Sequence, residues 1–378
     1  MPLVDPSSPQ QAFPEASKER HASGVVDLSV VVIAHNEEET IVNCLESAIK
    51  ASEAAKDADL IGEYELLLVD AASRDGTLRS VSELPVGIVR IPPEMPHGPG
   101  AARFVGFHHT RGRLVLFLDG DSVLDQGWLL DALAFVGHTD AAGVDGNLVH
   151  AISPATSIAA QVLEAARAQS VQEPSRVDVV GQAIFRREVL EAVGPHDPFL
   201  RGGEDRELSQ RLRNAGFALY RIPRVSVSHY WGGSSGVLTP LAHLRSAIAW
   251  SYGDGQSIRR HSDNPLVRRE QRERYFRWRT IVDYENLLLF TVAILAVTAA
   301  FVATPLFFVV SVTSSLIVLE GLSRIVRTDP ERPARSALWK SIVTLVRHVA
   351  LFAGILLAAP RSKPFLLDGV ERLRGSRL

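Results

Sequence analysis

The stretch Leu28–Ala34, which reads LSVVVIA, is an unbroken apolar run rich in β-branched residues. A run that is apolar at every position predicts a strand buried on both faces, as in a parallel sheet covered by helices on each side. Similar runs follow at Glu65–Val69, Val86–Ile91 and Leu114–Leu118. The segments between them carry apolar residues at helical spacing. Strands that alternate with helices predict an α/β fold with a mostly parallel sheet.

Polar residues stand directly after these buried runs. His35, Asn36 and Glu37 follow the first, Asp70 ends the second, and an Asp-Gly-Asp sequence ends the fourth. In an open α/β sheet, the ligand crevice lies beyond the carboxyl ends of the strands. We therefore expect a functional site at this edge of the sheet.

The sequence Asp119-Gly120-Asp121 predicts a metal site. Two carboxylates so close together repel each other unless a cation lies between them. Oxygen ligands of this kind suit Mg²⁺ or Mn²⁺, and such an ion neutralises the charge that develops on a diphosphate leaving group. The alternative interpretation is an ordinary turn, in which the acids cap the helix expected at Gln126–Phe135.

Four motifs in order resemble the family 2 glycosyltransferases of GT-A fold. They are VVIAHNEE at 31–38, VDAASRDGT at 69–77, GAAR at 100–103 and LDGD at 118–121. The resemblance covers residues 28 to about 230. It implies a Rossmann-like catalytic domain that uses a nucleotide-sugar donor and a divalent metal ion, Mn²⁺ or Mg²⁺.

The resemblance also implies roles for individual residues in donor binding. The nucleotide pocket is expected to contain Ala34, His35, Asn36 and Glu37. Asp70 is expected to accept a hydrogen bond from the nucleobase. His35 stands near the place where the family often has an aromatic residue that packs on the base.

Further roles follow from the same resemblance for residues that approach the diphosphate and the sugar. Asp75 is expected to form the turn beside the nucleotide, with a simple helix-capping turn as the alternative. Arg103 is expected to face the diphosphate with Asp119 and Gly120, or else to be a surface arginine. Gly181 is expected to allow close approach to the sugar.

The metal is expected to be held by Asp121, Asp119 and His229. For His229, the alternative is a structural histidine with all its hydrogen bonds made inside the protein.

The base motif of the family is matched by Glu204-Asp205, which follows two glycines and starts an amphipathic helix. Asp205 is expected to take the proton of the acceptor hydroxyl, and Glu204 to orient the acceptor. A single carboxylate opposite the leaving group gives inversion. The alternative is a pair of acids that only stabilise the start of a helix.

Composition narrows the class of protein. The chain has 378 residues and a formal net charge of −3, which does not favour nucleic acid as a partner. Its one cysteine, Cys44, excludes an internal disulfide and a cysteine-rich zinc site. The N-terminal residues contain several prolines and no apolar core, so they do not predict a signal peptide. They predict a flexible tail, or alternatively a strap over the domain.

The C-terminal part is predicted to anchor the chain in a membrane. Leu287–Leu319 contains no charged residue and exceeds the roughly 20 residues that one spanning helix needs. Pro305 marks either the turn between two short helices or a kink in one. Arginine-rich segments on either side place them, with the catalytic domain, on the cytoplasmic face of the plasma membrane. They also suggest contact with membrane lipids.

The predicted segments, in order, are a flexible tail at 1–26, a GT-A domain at 27–255, a basic juxtamembrane segment at 256–283, a transmembrane hairpin at 284–322, a basic loop at 323–340, a third membrane or interfacial helix at 341–360 and a C-terminal tail at 361–378. The expected acceptor is a hydroxyl of a lipid-linked or membrane-associated molecule. The alternatives are a nucleotidyltransferase of similar fold and a non-catalytic membrane scaffold. The sequence at 271–275, QRERY, is similar to the Gln-x-x-Arg-Trp motif of processive members, but the last residue differs, so polymer synthesis is not predicted.

Overall fold

The computed structural model describes residues 26–150, 170–229, 240–275, 346–347, 349–360 and 363–374. These residues belong to two compact units. The first unit holds the described residues up to 198, together with 208–229 and 365–374. The second unit holds 199–207, 240–275 and the described residues between 346 and 364.

The first four strands of the first unit begin where the apolar runs of the sequence begin, or within one residue of that point. Their bounds are β1 Leu28–Ala34, β2 Tyr64–Ala71, β3 Gly87–Ile91, β4 Leu114–Asp119, β5 Ser122–Leu124, β6 Gly143–His150, β7 Ser175–Arg176, β8 Ile184–Arg186, β9 Leu219–His229 and β10 Glu371–Arg374.

The helices that follow the early strands cover the sheet, and two later helices lie in the second unit. Their bounds are α1 Ile41–Asp57, α2 Thr77–Ser80, α3 Pro99–His108, α4 Gln126–His138, α5 Arg187–Val193, α6 Glu204–Asn214, α7 Pro240–Arg260 and α8 Pro265–Tyr275. The first turn of α6 belongs to the second unit and the remainder of α6 to the first.

The strands form one mixed sheet in the order β10-β3-β2-β1-β4-β8-β6-β9-β5, with β7 paired to β9. The neighbours β3, β2, β1 and β4 are parallel, as the alternation of strands and helices predicts. Beyond β4 the prediction of a mostly parallel sheet holds only in part: β8 pairs antiparallel with both β4 and β6, and β5 pairs antiparallel with β9, whereas β6 and β9 are parallel. β5 and β8 have three residues each, so the period of the sequence does not reveal their direction.

Two apolar layers explain why β1 is apolar at every position but Ser29. Val30 and Val32 face the layer that contains α1 and α4. Val31 and Ile33 face the opposite layer, which contains α3 and the inner side of α6. Each layer removes one face of the strand from water, which rigidly fixes the carboxyl ends of β1, β2 and β4 at one edge.

Part of the predicted C-terminal tail is ordered as an additional strand. β10 pairs antiparallel with β3, at the edge of the sheet. The Arg374 guanidinium donates to the main-chain oxygens of Val81, Ser82 and Val86. Pairing of this kind covers hydrogen-bonding groups that an edge strand otherwise leaves exposed.

The second unit contains closely packed helices. A Cβ on Gly255 would lie 2.1 Å from the Leu351 carbonyl oxygen, and one on Gly354 would lie 2.0 Å from that of Tyr252, so both positions require glycine. Arg260, from the predicted basic juxtamembrane segment, is buried and donates to the carbonyl oxygens of Ala359 and Pro360. Its charge therefore stabilises the unit itself.

The segments predicted as a transmembrane hairpin at 284–322 and a basic loop at 323–340 lie outside the described residues, as does the N-terminal tail to residue 25. Of the segment predicted as a third membrane or interfacial helix, 346–347 and 349–357 are helical. Within the described ranges, no helix combines the length and the apolar character that crossing a membrane requires.

Candidate functional site

The loop after β1 is fixed by hydrogen bonds to the loop after β2. The Asn36 main-chain N–H donates to the Ser73 hydroxyl, and its side-chain oxygen accepts from the Arg74 N–H. Asn36 and Ala72 both adopt left-handed backbone, with φ near +60°. This conformation is tolerated by asparagine but costs alanine about 1 kcal/mol, so the surrounding contacts must hold it in place.

His35 is held in one orientation at the mouth of this loop. Its Nδ1 lies 2.5 Å from the Ala71 carbonyl oxygen, which can only accept, so Nδ1 carries the hydrogen. Its Nε2 then accepts from the Asn36 side-chain amide, at 3.0 Å. The ring stacks against His97, with 6.0 Å between ring centroids. Two imidazole rings, both from loops, thus stand where an aromatic residue was expected.

Asp70 is completely buried at the end of β2. Its Oδ2 accepts from the Ser73 N–H at 3.3 Å and lies 3.4 Å from the Arg90 Nε. Its Oδ1 has no hydrogen-bond partner among the described residues. A buried carboxylate oxygen without a partner is costly, and such an atom suggests a missing donor.

Asp75 forms the turn that leads into α2. This agrees with the alternative interpretation, a simple helix-capping turn. Its Oδ1 accepts from the Thr77 main-chain N–H and hydroxyl, and its Oδ2 accepts from the Glu38 N–H. The Thr77 bonds outweigh the effect of burial and lower the pKa of Asp75. Both carboxylate oxygens are thus used to join the loops after β1 and β2. A role in contacting the nucleotide itself stays a prediction.

The Asp-Gly-Asp turn lies against the end of β1. The Gly120 N–H donates to the Ile33 carbonyl oxygen at 2.8 Å. A Cβ at Gly120 would lie 3.1 Å from that oxygen and 3.2 Å from the Ala34 Cβ, which is tighter than normal packing permits. Glycine therefore allows the turn to lie directly beside the end of β1.

Gln182 holds both ends of this turn. Its side-chain oxygen accepts from the Asp119 main-chain N–H at 3.0 Å, and its side-chain nitrogen donates to the Ser122 hydroxyl at 2.9 Å. The neighbouring Gly181 is half-buried in a bend just before β8. Gln182 belongs to a segment that the resemblance marks as part of the sugar pocket, but no sequence pattern singles out its amide.

Arg103 is 2% exposed and therefore is not a surface arginine. Its Nη2 donates to the Asp119 Oδ1 at 2.8 Å. The guanidinium compensates the charge of one member of the acidic pair and fixes its rotamer. Contact of Arg103 with a diphosphate stays a prediction.

Asp119, Asp121 and His229 meet as a group that can hold a metal ion. One ligand atom from each residue lies within 4.8 Å of the others. The His229 Nε2 is 3.0 Å from the Asp121 Oδ1. Burial alone lowers the pKa of His229, but the hydrogen bond and charge of Asp121, with the charge of Asp119, raise it. The last residue of β4 and the turn after it supply the acids, and β9 supplies the histidine, because β5 pairs antiparallel with the end of β9.

Glu37 adds a third carboxyl to the same region. Its Oε2 accepts from the Thr40 hydroxyl at 3.0 Å, and its main-chain N–H donates to the Thr77 hydroxyl. Burial, followed by the charges of Asp121 and Asp119, raises the pKa of Glu37 to about 7. A cation in this region would reverse the effect of those charges.

The raised pKa predicts that the metal-free protein becomes less stable as the pH rises from 4.5 to 7. In this window the unfolded chain loses the Glu37 proton before the folded chain does, so the free energy of unfolding falls, by about 1–3 kcal/mol. His229 acts in the same direction only above about pH 6.5, because a histidine with a raised pKa loses its stabilisation as it deprotonates above its unfolded value. Urea unfolding of EDTA-treated protein at several pH values measures the slope of the free energy of unfolding against pH.

Glu37→Gln should flatten this slope, while Glu46→Gln, at an exposed position on α1, should leave it unchanged. Mn²⁺ should flatten it in the natural chain as well, because the cation favours the charged carboxyl. A slope that is equally steep in Glu37→Gln would show that Glu37 does not cause the pH dependence of the stability.

Glu204 and Asp205 begin α6, as the sequence predicts, and lie in the second unit. Glu204 is buried and Asp205 is half-buried. Gly203, just before them, has φ +70°, a left-handed conformation that favours glycine. The role of either acid in proton transfer stays a prediction.

Besides Gln182, two residues of this site were not predicted from the sequence. His97 stacks on His35, and Arg90 faces Asp70. Arg90 lies within the apolar run of β3, where one charge in a buried strand is a usable signal. His97 lies in a loop between prolines, where no periodicity indicates which way the ring points.

Comparison with known proteins connects this geometry to a family. The family model "Glycosyl transferase family 2" matches residues 29–194. The glycosyltransferase AglE of Haloferax volcanii is 29% identical over 198 residues, which are 51% of this chain and 63% of AglE. The dolichyl-phosphate beta-glucosyltransferase of Dictyostelium discoideum is 28% identical over 121 residues, 31% of this chain and 37% of that protein. The chain thus spans less than two thirds of the length of these relatives.

A solved structure agrees with the fold. The mannosyltransferase PcManGT from Pyrobaculum calidifontis, in complex with GDP-Man and Mn²⁺, superimposes with a TM-score of 0.51 at 18% identity, over 86% of this chain and 87% of that one. At this identity the likeness supports the GT-A type of fold alone. The ordered strand-end motifs, the acidic group beside the paired loops after β1 and β2 and the family match agree: residues 29–194 form a glycosyl transferase family 2 domain.

Proposed function

We propose that this protein transfers a sugar, with inversion, from a UDP- or GDP-sugar to a hydroxyl group of a lipid-linked or membrane-associated acceptor. The observation that carries this proposal is the grouping of Asp119, Asp121 and His229 within 4.8 Å, next to the loop pair after β1 and β2. An acidic metal group beside a pocket with a buried, unpartnered carboxylate suits a nucleoside diphosphate linked to a sugar.

Asp70 supports the choice of nucleotide. Its buried Oδ1 can accept a hydrogen bond from a ring N–H of a base, which uracil and guanine both carry. The stacked pair of His35 and His97 offers a flat surface for the base. The hydrogen bond from the Asn36 main-chain N–H to the Ser73 hydroxyl joins the loops after β1 and β2, which would order this surface before a nucleotide binds.

Two carboxylates and an imidazole fit Mn²⁺ better than Mg²⁺, which prefers an all-oxygen shell. Asp119, Asp121 and His229 would hold the ion, with Arg103 and Gln182 fixing Asp119 from behind. When bound, the metal supplies positive charge to the diphosphate as it leaves. Glu37, with its raised pKa, would become charged once the cation is in place.

In the proposed reaction, Asp205 accepts the proton of the acceptor hydroxyl. The hydroxyl oxygen forms a bond to the anomeric carbon while the bond from that carbon to the diphosphate breaks, and the electron pair leaves with the nucleoside diphosphate. Attack from the face opposite the leaving group inverts the configuration. Glu204, which is buried beside it, orients the acceptor.

Two features support an acceptor at a membrane. The uncharged stretch Leu287–Leu319 is long enough for at least one crossing. The Dictyostelium relative acts on dolichyl phosphate according to its name. We propose that the chain is anchored in the plasma membrane with its catalytic part on the cytoplasmic side. There it would meet nucleotide sugars in solution, and membrane lipids through its exposed arginines.

A thermal-shift panel on the full chain identifies the donor class. UDP-, GDP- and dTDP-sugars are tested with Mn²⁺, and the true class is expected to raise the Tm by about 5 °C or more at 100 times its Kd. Asp70→Asn should weaken donor binding roughly tenfold, because a charged acceptor becomes a neutral one.

Asp57→Asn, at an exposed position of α1, serves as the control and should bind the donor normally. Stabilisation by a nucleoside triphosphate alone would favour a nucleotidyltransferase. The absence of any shift with any nucleotide would favour a scaffold, and either result overturns the proposed function.

A further inference from the structure

The loop that carries Asp205 is built into the second unit by the two helices that follow the catalytic motifs. The contacts involve Arg201–Glu207 on one side and α7 and α8 on the other, all within that unit. The sequence alone suggested only a basic segment next to the membrane for most of this region. The side of these helices that faces the loop carries glycines and buried polar residues.

Glycine contacts bring the loop against α7. A Cβ on Gly253 would lie 1.8 Å from the Gly202 carbonyl oxygen, and a Cβ on Gly202 would lie 2.8 Å from that of Ala249. The Arg201 main-chain N–H donates to the Gln256 side-chain oxygen at 3.0 Å. No side chain larger than hydrogen fits between these two backbones. This close contact fixes the position of the loop on α7.

A buried acid on α7 then holds the first turn of α6. Asp254 is 0% exposed. Its Oδ1 accepts from the Arg206 Nη1 at 2.5 Å and from the Gln271 side-chain nitrogen at 2.9 Å. The same oxygen would lie 2.9 Å from a Cβ at Gly203. One carboxylate thus binds Arg206, just after the Glu204-Asp205 pair, and leaves no room for a side chain at Gly203, just before it.

A second buried contact repeats this arrangement one turn later. The His261 Nδ1 lies 3.1 Å from the Glu207 Oε1, and both side chains are buried. Burying charged groups costs stability unless each is paired, and an apolar pair of similar size would often be more stable. The geometry is therefore better explained by placement of the first turn of α6 than by stability alone.

We infer that Asp254 is a positioning residue for Asp205. This rests on the proposed function, since Asp205 is its base. By binding Arg206 and packing close to Gly203, Asp254 sets the direction in which the first turn of α6 presents the Asp205 carboxylate. A displacement of about 1 Å in a reacting group is enough to lower a rate roughly a hundredfold. Gln271 orients Asp254 through its own donated bond.

The main experiment measures transfer kinetics of Asp254→Asn in the full chain. The asparagine keeps the shape and removes the charge. We expect kcat to fall at least tenfold, while the Kd of the donor and the KM of the acceptor change by less than about threefold. Glu273→Gln, which breaks an exposed ion pair with Arg269 on α8, is the matched control and should behave as the natural chain does.

A double variant separates positioning from general support of the fold. If Asp254 acts through Asp205, adding Asp254→Asn to Asp205→Asn should cause no further loss of kcat. An equal loss in both backgrounds, or no loss in the single variant, overturns the inference.

Hydrogen exchange provides a readout that does not depend on catalysis. Peptides that cover 201–207 should exchange at least threefold faster in Asp254→Asn than in Glu273→Gln, with peptides of β1 and β4 unchanged. Unchanged exchange at 201–207 overturns the inference even if no acceptor has been found. If exchange rises but Asp205→Asn transfers sugar normally, the base assignment fails while the contact of Asp254 with the loop stands.

Discussion

Asp205→Asn is expected to lower sugar transfer roughly 10³-fold, because the acceptor hydroxyl loses the group that removes its proton. Asparagine has almost the same shape as aspartate and cannot accept a proton at neutral pH. The N-terminal turn of α6, already close to buried acids, should fold as before. Transfer is measured with the donor class found by thermal shift, and donor affinity should change by less than about twofold.

Glu204→Gln distinguishes the two neighbouring acids. If Glu204 only orients the acceptor, its loss should raise the acceptor KM more than it lowers kcat. The exposed Glu273→Gln controls for a general loss of negative charge in the second unit. Full transfer by Asp205→Asn, or a far larger loss of kcat in Glu204→Gln, would move the base assignment away from Asp205.

Asp121→Asn is expected to lower transfer roughly 10²–10³-fold at low Mn²⁺, which corresponds to several kcal/mol of lost charge stabilisation. Asp121 supplies one of the two carboxylates in the metal group and also pairs with His229. Removing its charge should weaken the apparent metal affinity by tenfold or more. Titration of activity with Mn²⁺ should show partial recovery at high concentration.

Asp131→Asn is a suitable control for that variant. Asp131 pairs with Arg224 on the surface of the same unit, 2.7 Å away, and such exposed pairs contribute little. Its metal titration should match that of the natural chain. Transfer that continues in excess EDTA, or an unchanged metal titration of Asp121→Asn, would show that the acidic group does not hold a catalytic cation.

The sequence predicted the early strands well because each is buried on both faces. β1 has the predicted bounds, Leu28–Ala34, and β4 extends by one residue to Asp119. Because these strands are parallel, the sequence also predicted that the polar residues after them meet at one edge of the sheet. The prediction of a mostly parallel sheet failed at β5 and β8, which pair antiparallel with their neighbours, because a strand of three residues has no period to read.

The candidate site shows the same division. Asp119, Asp121 and His229 were grouped by resemblance, and the structure brings their ligand atoms together although His229 is far away in the sequence. The role of Gln182 was not predicted, because it consists of two hydrogen bonds to the turn that contains Asp119. A glutamine in a loop has no pattern that predicts where its amide points.

By itself, the sequence determined the order of buried strands and the acids at their ends, because local apolar runs and strand-end polarity are properties of neighbouring residues. The tertiary structure alone decided that Asp70 has an oxygen without a partner, that Arg103 is buried against Asp119, and that Asp254 holds the loop before α6. The two contacts join residues that are 16 and 48 positions apart, and the missing partner of Asp70 is a property of its whole surroundings. They depend on how strands and helices pack, and distance along the chain does not encode them.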